Sequence, residues 1–103
     1  MKAKGYIILT FRFTKEGDNW VGICEQLGTS AFDKSIEIAS EKLRELTGLH
    51  LNTLEQIGER ERVFRENGIK VFAQKPSNDK TVNCPIDPNA LISHQVQTVS
   101  LAN

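Results

Sequence analysis

The sequence predicts an α+β domain: a small, antiparallel-dominated sheet in the order β-β-β-α-(α)-β, one long helix packed on one face, and an extended C-terminal arm. Three changes of pattern carry that expectation. Over residues 6–14 the side chains alternate, with Ile7, Leu9, Phe11 and Phe13 on one face and Tyr6, Ile8, Thr10 and Arg12 on the other, the period of a half-buried strand. From Ser35 the apolar spacing lengthens to steps of three, four or seven, the period of an amphipathic helix. Past Lys75, Pro76, Ser77, Asn78, Asp79, Pro85, Pro88 and Asn89 cut the apolar pattern into short fragments.

The elements follow in order. Lys15, Glu16, Gly17, Asp18 and Asn19 are turn formers, so the first strand and the extended run 20–24 make a hairpin. Glu25 and Gln26 interrupt the pattern, Leu27 and Gly28 sit at a bend, and 29–32 makes a short third strand. Asp33 or Ser35 can accept hydrogen bonds from the first free helical amides, and Glu37 lies in the first turn, where a negative charge complements the helix dipole. Ile36, Ala39, Leu43, Leu46, His50, Leu54, Ile57 and Phe64 then form one stripe that faces a core. Gly48 costs about 1 kcal/mol against alanine in a helix interior without erasing the period, which weakens only near Gly58. The expected helix runs over 35–57, with a second or kinked segment to about 66. Asn67 and Gly68 cap it, and 69–73 returns as a fourth strand. This gives a domain over 1–75 and an arm over 76–103, the arm carrying short strands near 81–84 and 96–101 that suit pairing with another subunit or with the body of the same chain.

At 103 residues the chain is too short for two ordinary cores, and its 39% of apolar residues is enough for one. Thirteen basic and thirteen acidic side chains cancel, so no global field draws in nucleic acid or an anionic membrane. No apolar run approaches the roughly 20 residues of a bilayer span, and Thr10 and Arg12 break the first one, which reads as a strand and not as a signal peptide. Cys24 and Cys84 lack the paired spacing of a zinc or redox motif; free thiols in a cytoplasm are the plain reading.

Candidate chemistry is sparse. A Cys24 nucleophile needs a base, and the two histidines fall on the helix stripe (His50) and in the arm (His94), so Cys24 reads as a small apolar strand residue. The same four residues have metal-binding atoms but no chelate spacing, and neither a metal nor a cofactor is expected. Asp18, Glu25 and Asp33 lie at strand ends near a helix start, where acids can converge on a divalent ion, although such acids more often serve turns and caps. Glu59, Arg60, Glu61, Arg62, Arg65 and Glu66 interleave their signs, as on a solvated helical face with mutual pairing. Tyr6 and Trp20 lack the basic groove of a base-stacking platform, so core or subunit contact is expected of them.

Taken together, the strand, the turn with Gly17 and Asp18, the segment WVGICEQLGTSAF and the helix DKSIEIASEKLREL resemble the HicB-like family, the antitoxin half of HicA and HicB toxin-antitoxin pairs, over about residues 6–73. Trp20, Val21 and Gly22 match that family's aromatic-Val-Ala strand. Leu27 and Gly28 resemble its Pro-x-Leu-x-Gly bend, and Ser35, Ile36, Glu37, Ile38 and Ala39 its helix start. The chain departs from the pattern in lacking the bend proline, in the longer helical region through TLEQIGERERVFRENG, and in having no helix pair or ribbon-helix-helix pattern after Lys75. The resemblance implies a partial RNase H-like fold and a non-enzymatic, protein-binding role. The implied partner is a small, basic, RNA-cleaving HicA-like toxin, met through Glu25, Gln26, Thr29, Ser30, Asp33 and Glu37. It also implies homo-oligomers, while operator DNA binding by this chain alone is not expected. Two other readings stand beside it: a stand-alone oligomeric interaction module without a toxin, and a degenerate RNase H-like nuclease using Asp18, Glu25 or Asp33 with magnesium.

Overall fold

The computed structural model describes residues 4–75 and 82–100. It is an α+β fold with elements β1 (Lys4–Glu16), β2 (Asn19–Cys24), β3 (Ser30–Asp33), α1 (Ile36–Gln56), α2 (Arg60–Glu66), β4 (Val82–Asp87) and β5 (Ala90–Ser100). All pairings are antiparallel, in the order β3-β2-β1-β5-β4.

Strand β1 is the axis of the sheet because both of its flanks are used. On one flank its C-terminal half pairs with β2, from Phe11↔Cys24 to Glu16↔Asn19, across the two-residue turn at Gly17 and Asp18. On the other flank β5 pairs along nearly its whole length, from Lys4↔Ser100 to Thr14↔Ala90. Alternation then sorts the side chains. Ile7, Leu9, Phe11 and Phe13 are at most 1% exposed and share the face covered by α1 with Cys24 and Ser93. Phe11 and Phe13 meet edge to face, with ring centroids 6.4 Å apart.

Helix α1 starts at Ser35, whose backbone is extended and whose Oγ accepts from the Ile38 N–H at 3.4 Å. It ends at Gly58, whose φ of 74° lets the chain turn back so that Glu59 N–H donates to the Leu54 carbonyl at 2.9 Å. Its buried residues are Ala39, Leu43, Thr47, Leu51 and Leu54. This shifts the expected stripe. Leu46 and Ile57 are 42% and 62% exposed, and Thr47 and Leu51 take their places in the core. Thr47 can be buried because its hydroxyl bonds to Thr29 Oγ1 at 2.8 Å, which removes the penalty of an unpaired polar group. The displaced apolar residues, with Ile38 and Leu49, make a second, exposed band on α1. In α2, Arg62 pairs with Glu59 and Glu66, as expected of the interleaved run, while Arg60 pairs outside it with Glu55 of the preceding helix and lies over the Phe64 ring.

The expected strand at 69–73 is reduced to one bridge. Tyr6 and Phe72 exchange two backbone hydrogen bonds of 2.8 Å on the β1 flank that β2 leaves open, and no ladder extends from them. The strand that closes the sheet beside β1 comes instead from the C-terminal stretch, where β4 and β5 form a hairpin docked on the same chain. Of the residues expected there, Thr81, Leu101 and 76–79 lie outside the described ones.

Candidate functional site

The six residues expected to meet a partner occupy two places separated by the length of a strand. The first is the bend after β2. Cys24 N–H donates to the Thr29 carbonyl and Gly28 N–H to the Cys24 carbonyl, both at 2.8 Å, and Gly28 sits at φ 76°. A glycine in this left-handed region makes the bend without a proline. Beyond Cys24 the ladder to β1 is continued in two ways. Glu25 N–H donates to the Thr10 carbonyl at 2.9 Å. Gln26 then folds its side chain into the next position, its Oε1 accepting from Thr10 N–H at 2.9 Å and its Nε2 donating to Thr10 Oγ1 at 3.2 Å. Gln26 is therefore a surrogate strand partner. Glu25 is exposed on the sheet face away from α1, where its Oε1 accepts from Arg12 Nε at 2.7 Å. An ion pair as open as this one contributes at most about 1 kcal/mol. Thr29 is committed to Thr47, across the space between the bend and α1.

The second place is the β3 edge and the start of α1. Ser30, exposed at the head of β3 and opposite Ile23, lies at the bend end of that edge and so belongs with the first place. Asp33, at the far end of β3, accepts from Ser35 N–H at 2.9 Å and from Lys42 Nζ at 3.0 Å, and these contacts hold its carboxyl below the ordinary 3.8. Glu37 takes a hydrogen bond from Ser35 Oγ at 2.8 Å, and its own backbone N–H and that hydroxyl hold it below the ordinary 4.5. Both acids are thus kept ionised at an outer edge of the sheet. Since Asp33 stands opposite Trp20 while Glu25 stands opposite Thr10, beyond the far end of β2, about 17 Å of strand separates the two places.

The same register bears on the other candidate clusters. Asp18 lies in the turn beside Asn19, at the Asp33 end of β2, so Asp18, Glu25 and Asp33 do not converge on one point. Among the described residues no group of three or more His, Cys, Asp and Glu side chains is placed to hold a metal ion. Cys24 is fully buried, and burial pushes its thiol up, favouring the protonated form. Its side-chain neighbour is Gln26 Oε1 at 3.9 Å, whereas His94 stands on the opposite face of the sheet against Thr10 Oγ1 at 3.3 Å. Cys84 is exposed, and both thiols are free. Tyr6 and Trp20 project from opposite faces of the sheet, so they form no common stacking platform.

Two features of this region escape sequence reasoning. Lys42, one of many charged residues on α1, becomes significant only because α1 lies beside β3 and brings it to Asp33. A polar seam also joins α1 to β5: Arg44 Nε donates to Gln95 Oε1 at 3.1 Å, and Gln95 Nε2 donates to Ser40 and Ser93 hydroxyls at 3.4 and 3.3 Å. The visible signal for it was a run of polar residues at the inward positions of β5, Ser93, Gln95 and Gln97, between Leu91 and Val99.

Among the described residues no helix is long and apolar enough to cross a membrane. Compared with protein-family models, with curated proteins and with solved structures, the chain gives no match.

Proposed function

We propose that this chain is a non-enzymatic, HicB-like protein-binding domain of the antitoxin type, which neutralises a small RNA-cleaving HicA-like toxin by covering it. The observation that supports this reading most is the β3 edge. A four-residue edge strand has no neighbouring strand on its outer side, and two ionised acids stand at its C-terminal end, Asp33 as its last residue and Glu37 just after it. An open edge offers hydrogen bonds to a partner strand. The adjoining carboxylates suit a basic surface, such as one that binds RNA phosphates. Glu25 and Gln26 contribute indirectly in this reading, because Arg12 and Thr10 already occupy their side chains and they shape the bend that leads into β3.

The experiment is co-expression of the chain with a small basic protein encoded next to it. A stable complex and relief of toxicity support the proposal, and Glu37→Lys should weaken capture at least about tenfold. Absence of both complex and relief removes the antitoxin reading.

A further inference from the structure

The sheet has a second face, and among the described residues no helix covers it. Helix α1 lies over the face carrying Ile7, Leu9, Phe11 and Phe13, and the alternate residues of the same strands point the other way. In an antiparallel sheet with one wet face those outward positions read as polar. Here they carry Tyr6 and Ile8 on β1, Val21 and Ile23 on β2 and Val96 on β5, and Phe72 is bridged beside Tyr6. Ile8, Ile23 and Phe72 are 41%, 45% and 42% exposed. Four of these positions are contiguous: Ile8 stands directly across from Val96, two residues along β1 from Tyr6, which holds Phe72 on its free flank, while Ile23 and Val21 lie farther along the sheet opposite Arg12 and Thr14.

We infer that this uncovered face binds a second copy of the chain, sheet against sheet, in a two-fold symmetric dimer. Size is the first argument. About 40 strand residues, each covering roughly 3.3 by 4.8 Å of sheet, make a flat face of about 600 Å² per copy, and the relief of the side chains raises it toward the roughly 800 Å² per partner of a standard interface. Charge is the second argument. Arg12 and Glu25, which lie on this face, neutralise each other, so a strongly basic or acidic partner meets no complementary field there. At the two ends of β1, on the same face, stand Lys4 and Glu16, both exposed. A two-fold axis between the sheets and across β1 runs the two β1 strands antiparallel and brings Lys4 of each copy toward Glu16 of the other. Such an interface is self-complementary, as a symmetric dimer requires, and the chain's zero net charge adds no repulsion between copies. Packed at about 10 Å, the two sheets would enclose Ile8, Ile23 and Val96 as the core of a sandwich with a helix layer outside each sheet.

The inference is independent of the toxin-binding reading. It concerns the purified chain alone, so either can fail while the other stands. The test is sedimentation equilibrium of the full chain and of three single variants at concentrations up to about 100 µM, with far-ultraviolet circular dichroism to show that each is folded. The expected result is twice the 11.6 kDa chain mass for the natural sequence, and monomers for Ile8→Lys and Ile23→Lys, whose exposed side chains tolerate lysine in the isolated fold. Leu49→Lys, on the exposed outer band of α1, should remain dimeric. A monomeric natural chain overturns the inference. So does a dimer that survives both sheet substitutions, which would place the contact away from this face, or one that Leu49→Lys alone dissolves, which would place it on α1.

Discussion

Gly22→Ala should destabilise the fold even though glycine is a poor strand former. Gly22 lies on β2 directly opposite Phe13, on the face covered by α1. A Cβ there would come within 2.6 and 2.9 Å of the Phe13 ring carbons Cε1 and Cδ1 and 3.1 Å of Leu43 Cδ2. Neither neighbour can give way easily, since Phe13 and Leu43 are 1% and 0% exposed and are held by the close-packed core around them. Overpacking of this kind costs about 1–3 kcal/mol. Alanine returns about 0.5–1 kcal/mol by removing glycine's conformational freedom. The net expectation is a loss of roughly 1–2 kcal/mol, or a fall in Tm of about 5–15 °C for a domain of this size. Thermal and urea unfolding followed by circular dichroism measure it. The partner variant Phe13→Leu supplies the control: in its background the added methyl should cost little or nothing, giving a coupling of at least about 1 kcal/mol in the double-mutant cycle. An unchanged or raised Tm for Gly22→Ala alone would refute the claim that the ring is immobile and that Gly22 is there to accommodate it.

Gln26→Ala should lower stability by about 1–2 kcal/mol in urea unfolding, because it leaves Thr10 N–H without its acceptor beyond the end of β2, whereas Ser30→Ala should move it by less than about 0.5 kcal/mol. Asp33 has a folded-state pKa below its ordinary 3.8, so its contribution is fully present above that value and is lost as pH falls through the lower, folded-state pKa. Asp33→Asn should therefore flatten the acid limb of a stability-against-pH curve at pH values below about 4 while leaving its slope near neutrality unchanged. In the native chain a thiol reagent should label Cys84 quickly and Cys24 only after unfolding, giving one fast and one slow equivalent by mass spectrometry.

The local parts of this fold are legible because their causes are local. Alternation over 6–14 requires a half-buried strand wherever the segment ends up. Ser35 followed by Glu37 marks a helix start in almost any context, and Gly58 marks its end, as α1 confirms. The ion pairs of Arg60 and Arg62 form within a turn or with the end of the preceding helix, so they need little tertiary information. The candidate site was less legible. Its residue types suggested contacts along the bend and at the helix start, but the strand register sends Glu25 and Asp33 to opposite ends of β2, and Gln26 and Thr29 turn inward to serve the fold.

Element type and element ends thus follow from the order of residues, through propensity, period and capping acting within a few positions. Which apolar band of α1 is buried is a different matter. Leu46 and Thr47 are neighbours in sequence, and burial of Thr47 in place of Leu46 depends on Thr29 being 18 residues away in the chain yet 2.8 Å away in space. The choice of the strand beside β1 is similar. The segment at 69–73 and β5 both have strand character, but β5 can zip along β1 from Thr14 to Lys4, while Phe72 reaches only Tyr6. Long-range pairing of this kind is decided by how much apolar surface and how many backbone hydrogen bonds the whole sheet gains at once, a quantity no short window of sequence contains.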